Sequence, residues 1–462
     1  MASLFPEDFF LTRWPHISQG LDLVGRCSDA GALRASLQAI SDDSNFHAAR
    51  HGKPDFEAVL DDIPESEHFF ATLLPKMVQL VQDAPKRFSS KCVPLLVQGI
   101  AEHVFLTYEE VATLLAMAFF GLLPNNASIS PLYFPKDGCA FPPNTEKLRC
   151  FLSYFEDITS DSSAIFTTPS TASGGMRVTR ALLGADTTTL QELETNTCRL
   201  CQVIPHDLRT PISQSSALLH VDFANARVGG GIFLNAPGAT AQEEITFATH
   251  PELCIATVLC DVLRDDEALL IQGARHFCRH AGFLDTFSFT GKVHPSEPDF
   301  KNAAVQVVID AKMYDGGGIG RPYRYDYKLQ VEDAARDIYK ALCGFQAASL
   351  QPELGRSCAT GNWGCGAFGG SAAVKLFIQW IAASLAGLQT LEYYPWDDRV
   401  IFQFLVDAAA LVAEATVGQL CRALRRAAEL QSELENEVQR YEEDGAEFLR
   451  VVLRELHSGT GR

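Results

Sequence analysis

Along residues 219–223 apolar Leu219, Val221 and Phe223 alternate with His220 and Asp222, a period of two that predicts a strand. Apolar runs at 268–272 and 303–311, the second centred on VQVVID, predict strands buried on both faces; a β-branched and aromatic run at 164–168 and another run at 391–396 predict two more. Helical spacing fills the intervals. It appears at 69–80, with Pro75 as an interruption, and from about 108 to 121, where Thr107 and Glu110 form a capping-box pattern. Further helices are expected at 146–155, 250–264, 330–342 and 372–385. Over 417–441 the apolar positions Val417, Leu420, Leu424, Ala427, Leu434, Val438 and Tyr441 recur at spacings of three and four. Residues 1–60 show no sustained period, and 124–143, rich in Pro, Asn and Gly, reads as a long loop or a boundary. Strands alternating with helices predict an α/β fold, its sheet covered on both sides.

Composition narrows the class. A chain of 462 residues, 47% hydrophobic and 21% charged, has the balance of a soluble globular protein. No apolar run reaches the ~18 needed to cross a bilayer, and residues 1–14 lack a signal peptide's apolar core, so an intracellular, soluble protein is expected. The 13 cysteines are scattered and odd in number, which predicts reduced thiols. Cys198 and Cys201 form a CxxC without the second pair that zinc usually requires. His276 and His280, four apart, would share a helix face, but Phe277 stands where the zinc-protease pattern has Glu. A net charge of −19 argues against broad electrostatic binding of nucleic acid.

The candidate chemistry gathers at two glycine-rich stretches. Gly229, Gly230 and Gly231 leave bare backbone that can turn N–H groups towards a phosphate. Eleven residues on come Gln242, Glu243 and Glu244, paired carboxylates suited to acid–base work on a labile bond. The second stretch, GNWGCGAFGG at 361–370, feeds Ser371 as an N-cap and then a helix, which makes it an anion site. Cys365 reads as a small filler there rather than a nucleophile, since no base is recognisable beside it.

The order Asp222, Phe223, Ala224, Asn225, then Gly229 to Gly231, Gln242 to Glu244 and Pro251-Glu252-Leu253, resembles the pattern of the poly(ADP-ribose) glycohydrolases. The second glycine loop with Ala359-Thr360 before it resembles that family's diphosphate-binding loop. The likeness covers about residues 69–397. It implies a macrodomain-like mixed sheet flanked by helices over 161–397 and a helical accessory region at 61–160; the helical spacing predicts a C-terminal helical extension at 398–462, and the segment 1–60 has no assigned role. By resemblance Glu244 is the acid and base, Glu243 and Asn225 hold ribose hydroxyls, Gln242 positions the acids or touches the sugar, and Asp222 is a further essential carboxylate. Gly364, Cys365, Gly366, Ala367 and Phe368 line the diphosphate loop. The family's adenosine-clasping tyrosines align with Phe283 and Phe287, so stacking is retained and the hydroxyls are lost; Phe368 and Trp396 are further aromatic candidates.

The implied activity is cleavage of ribose–ribose bonds in poly(ADP-ribose), with no cofactor and no metal. The implied partners are poly(ADP-ribose) and ADP-ribosylated proteins, in the nucleus or the cytoplasm, with no membrane and no required nucleic-acid contact. Self-association through the helix at 417–441 is the lesser expectation, because such helices more often pack on their own domain. Three rivals stay open. One is a reader of the same fold that binds ADP-ribose without cleaving it, against which the paired acids stand; another is a hydrolase of a different phosphorylated nucleotide. The third is a scaffold built around the C-terminal helix.

Overall fold

Ten strands lie among the described residues: β1 Glu102–Thr107, β2 Gly175–Leu182, β3 Gln202–Pro205, β4 Leu219–Ala224, β5 Glu267–Gln272, β6 Cys278–Ala281, β7 Ser288–Lys292, β8 Val305–Asp310, β9 Ser357–Gly361 and β10 Thr390–Tyr394. Eight form one mixed sheet in the order β1-β2-β5-β8-β4-β9-β10-β3, and β6 pairs with β7 apart from it. The five strands from β8 to β3 run parallel, while β5, β2 and β1 are added antiparallel. The computed structural model describes residues 2–43, 58–125, 127–135, 140–160, 174–184, 189–301, 304–314, 326–408, 414–434 and 441–459. The strand expected at 164–168 lies outside them.

Strand alternation sorts side chains into two cores. Leu219 and Val221 of β4, Val307 and Ile309 of β8 and Leu270 of β5 join one buried cluster. Ala224, Val308, Leu269 and Ile271 join the other. The second cluster is shared with the N-terminal helices α1 Trp14–Val24, α2 Ala30–Asp43, α3 Leu74–Gln82, α4 Tyr108–Phe119 and α5 Pro142–Ile158. The α6 helix Gln242–Thr249 lies on this same side. The first cluster is closed by α7 Ala334–Ser349, α8 Ala372–Leu385, α9 Arg399–Ala408, α10 Val417–Leu434 and α11 Tyr441–Gly459.

Local chemistry explains the boundaries. Thr107 Oγ1 accepts the Glu110 N–H at 3.2 Å while Glu110 Oε2 accepts the Thr107 N–H at 2.9 Å, so α4 begins on the expected capping box. Residues 69–80 form a π turn, Phe69–Leu73, running into α3, where Pro75 sits in the first turn and its missing N–H costs no helical bond. The helix expected at 250–264 is broken: α6 stops at Thr249, Pro251–Cys254 is a 3-10 turn, and only Ile255–Leu259 is helical again.

Other expectations are corrected. Residues 14–40 do carry a helical period, Trp14, Ile17, Leu21 and Val24, then Ala30, Leu33, Leu37 and Ile40, all buried. Two short helices with a phase reset between them hid it. The helix at 330–342 is two pieces, Tyr327–Glu332 and α7. His276 precedes strand β6 and His280 lies within it, not on a helix; His276 stacks on His250 at 4.5 Å. The stripe Val417, Leu420, Leu424 and Ala427 of α10 is buried in the chain's own C-terminal core.

Glu252 shows what the Pro-Glu-Leu segment does. Fully buried, it accepts the Arg275 backbone N–H at 2.9 Å and the Arg275 Nε at 3.0 Å, while the guanidinium lies 3.7 Å from the Tyr108 ring of α4. Removing one partner strands a buried charge. Glu252→Ala should therefore lose about 3–5 kcal/mol of stability, read from the urea midpoint of unfolding.

Candidate active site

The site begins where β4 ends. Asp222 points to the α6 side of the sheet, and the chain then turns through residues 229–231 before returning to start α6 at Gln242. Gln242 anchors that return: its Oε1 accepts the Phe223 N–H at 2.9 Å and its Nε2 reaches the Val221 carbonyl at 3.5 Å. Glu243 and Glu244 then fall in the first helical turn, where free amides and the helix dipole favour a carboxylate.

Both acids are buried and gripped by backbone. Glu243 accepts the Gly229 N–H at 2.6 Å and the Asn225 N–H at 2.9 Å. Glu244 accepts the Gly231 N–H at 2.7 Å and the Ala241 N–H at 2.8 Å. The Gly230 N–H bonds to the Arg227 carbonyl at 3.0 Å. The triple-glycine amides therefore do not converge on an empty phosphate position, as the sequence suggested. They orient the two acids. Gly230, at φ +48°, faces them so closely that a Cβ there would collide with a carboxylate oxygen of each.

Asp222 is fully buried, and neither of its oxygens has a hydrogen-bond partner among the described residues. Burial, reinforced by Glu244, pushes its pKa well above the ordinary carboxylate range. Burial also raises Glu243, with Asp222 and Glu244 adding to the effect and the Asn225 and Gly229 amides opposing it. Asp222 and Glu243 thus keep their protons to higher pH than isolated carboxyls do.

The second loop leaves the neighbouring strand. β4 and β9 are parallel, pairing Leu219 with Cys358, so both loops emerge at the same end of the sheet. β8 and β9 flank β4 on opposite sides, which makes that end of the sheet a switch point, where open α/β sheets bind their ligands. Gly364 at φ +73° and Gly369 at φ +67° shape the loop. Gly366 and Ala367 are exposed at its tip, and the amides of Gly366, Ala367 and Phe368 have no acceptor among the described residues. Burial pushes the Cys365 thiol up to about 12, which fits the filler reading.

The aromatics divide. Phe283, 47% exposed, sits on a turn tied to the first loop by Leu284 N–H to Thr240 O at 2.9 Å and Gly238 N–H to Asp285 at 2.9 Å. Phe287 is only 2% exposed and stacks on His280, so it lies beneath the rim and not on it, which corrects the expected paired clasp. Trp396 is 54% exposed at the end of β10 with φ +57°, and Phe368 is half-buried. Leu284, at φ +52°, shares that left-handed strain, of order 1–3 kcal/mol per residue, at the rim.

Two lysines escaped the sequence reading. Lys147 of α5 is fully buried and donates to the carbonyls of Gly231 at 3.2 Å, Leu234 at 3.4 Å and Ala239 at 3.2 Å. Lys375 of α8 is buried beneath the second loop, paired with Asp337, its Nζ 5.0 Å from the Trp363 ring. Each interrupts an apolar helical face, as Lys147 does before Phe151, Tyr154 and Ile158. That was the available signal.

Comparison with known proteins places these elements. Residues 190–402 match the family described as "Poly (ADP-ribose) glycohydrolase (PARG), Macro domain fold", and residues 62–170 match "Poly (ADP-ribose) glycohydrolase (PARG), helical domain". The chain is 28% identical over 327 residues to "Poly(ADP-ribose) glycohydrolase 2" of Caenorhabditis elegans, covering 68% of this chain and 61% of that protein. It is 25% identical over 423 residues to "Probable poly(ADP-ribose) glycohydrolase 2" of Arabidopsis thaliana, covering 78% of each. The match thus spans less than two thirds of the worm relative's length.

Two outcomes test the geometry. Gly230→Ala should cost about 1–3 kcal/mol by thermal unfolding, since it combines a left-handed φ with displacement of both acids. For Asp222 the folded pKa lies above the unfolded value of ~3.9, so wild-type stability falls as pH rises from about 4 towards the folded pKa. Asp222→Asn removes that titration. Its urea midpoint should exceed that of wild type at pH 7, by a margin that shrinks towards pH 4.

Proposed function

The chain belongs to the poly(ADP-ribose) glycohydrolase family, and from that premise we propose that it hydrolyses ribose–ribose O-glycosidic bonds of poly(ADP-ribose) to release ADP-ribose. The observation that carries the reading is the buried cluster of Asp222, Glu243 and Glu244, held by backbone amides beside an anion-ready loop. A module that only binds ADP-ribose would have no need to keep three carboxyl groups out of water.

Glycosidic cleavage passes through an oxocarbenium-like state, so a proton must reach the leaving oxygen and a base must then activate water. Glu244 would serve both steps. With each oxygen fixed by an amide, its carboxyl cannot swing away from the bond it acts on. Asp222, kept protonated by burial, would stop like charge from accumulating when Glu244 gives up its proton. Glu243 and the Asn225 side chain would hold ribose hydroxyls, while Gln242, already committed to β4, positions the acids.

The amides of residues 366–368 and the α8 N-terminus would receive the diphosphate. Phe283, Phe368 and Trp396 offer rings for adenine, with Phe287 supporting from below. In this reading residues 161–397 carry the reaction and residues 61–160 support it, and no step calls for a metal or cofactor. ADP-ribosylated proteins, in the nucleus or the cytoplasm, are the partners that follow. No helix among the described residues is long and apolar enough to cross a membrane.

The test is release of ADP-ribose from purified poly(ADP-ribose) with a chelator present. Wild type should release it, and Glu244→Gln should lose roughly 10²–10⁴-fold in kcat while still binding ADP-ribose. Folded wild type that binds ADP-ribose but releases none would leave a reader in place of an enzyme.

A further inference from the structure

Lys147 poses a problem that packing does not solve. It stands in the helical layer on a face shared with Phe151, Tyr154 and Ile158, where an apolar side chain would fill the space. Burying an ammonium costs several kcal/mol unless its surroundings compensate. Among the described residues no carboxylate lies within ion-pair distance of it. Its three protons go to three carbonyls, those of Gly231, Leu234 and Ala239, all from the segment joining the triple glycine to α6.

Three acceptors around one nitrogen match the three donors of an ammonium. They also fix the direction of the peptides. Gly231 turns its carbonyl to Lys147 while its N–H holds Glu244 Oε1 at 2.7 Å, so one residue links the cation to the acid.

We propose that Lys147 is a positioning residue for the Glu244 reaction: its ammonium, supplied by the helical layer, gathers the 231–239 loop so that Gly231 presents its amide to Glu244. This rests on the hydrolase reading above. The groups facing Lys147 are Glu244 from α6 and the Cys254 thiol from the turn beyond it; Asp222 and Glu243 face Glu244 instead. Burial pushes the Lys147 pKa down to about 8, with Glu244 pulling the other way, and the Cys254 thiol is pushed up by its own burial and stays neutral. The ammonium is therefore intact below about pH 8 and lost above it.

The experiment compares wild type, Lys147→Met and Lys147→Arg for kcat and KM of ADP-ribose release from pH 6 to 10, with melting temperature as the check on folding. Lys147→Met should lower kcat at least tenfold with KM changed less than threefold. Lys147→Arg keeps its charge at every pH, so the alkaline limb of kcat should move up by at least one pH unit relative to wild type. Should the Met variant fail to fold, the Arg limb decides alone. Active wild type with unchanged kcat in Lys147→Met, or an unmoved limb in Lys147→Arg, overturns this inference and leaves the hydrolase reading intact. Wild type that releases no ADP-ribose defeats the reading beneath it.

Discussion

Glu243 and Glu244 lie out of water because the backbone opposite them carries no side chains, and its amides take the place of solvent. A buried carboxylate is tolerable only when hydrogen bonds replace its hydration, and here each acid has two, all from main-chain N–H groups. That requirement propagates outward. It demands glycine at 230, a strand that ends at Ala224, and a helix that starts at Gln242. It also demands a side chain that ties helix start to strand end, which Gln242 provides.

For an acidic chain, the polyanionic substrate proposed above looks self-defeating at long range. The structure places its cations differently from a basic surface. Lys147 lies buried behind the first loop, so its field acts through a few ångströms of low-dielectric protein, and Lys375, ion-paired with Asp337, lies buried behind the second. Net charge governs approach through solvent, where salt screens it. Contact chemistry at the loops is set by what stands directly behind them.

What could be read beforehand followed the strength of each local code. The alternation of Leu219 to Phe223, the VQVVID run, the Thr107–Glu110 cap and the Ser371 start of α8 each rest on a period or a stop signal within a dozen residues, and each appears in the structure. The edge strands β1 and β3, and β2 beside β1, went unseen because strands exposed on one side or at the rim lack a continuous apolar run. The gathering of Asp222 with Glu243 and Glu244 was legible as a set of residues. Its arrangement was not, because the partner of a glycine amide is decided by tertiary closure. Lys147 sits 84 residues from Gly231 in sequence, and no local pattern joins them.

The pairing of β1 with β2 over six residue pairs, Glu102 with Arg180 through Thr107 with Gly175, has a further meaning for how the chain can be divided. The strand that closes the sheet belongs to the helical half, so a cut near residue 160 would separate a sheet from its own margin. β2 would then present a row of unpaired amides and carbonyls, a template on which a second copy could dock edge to edge. The N-terminal half thus supplies the sheet's last strand as well as its helical layer.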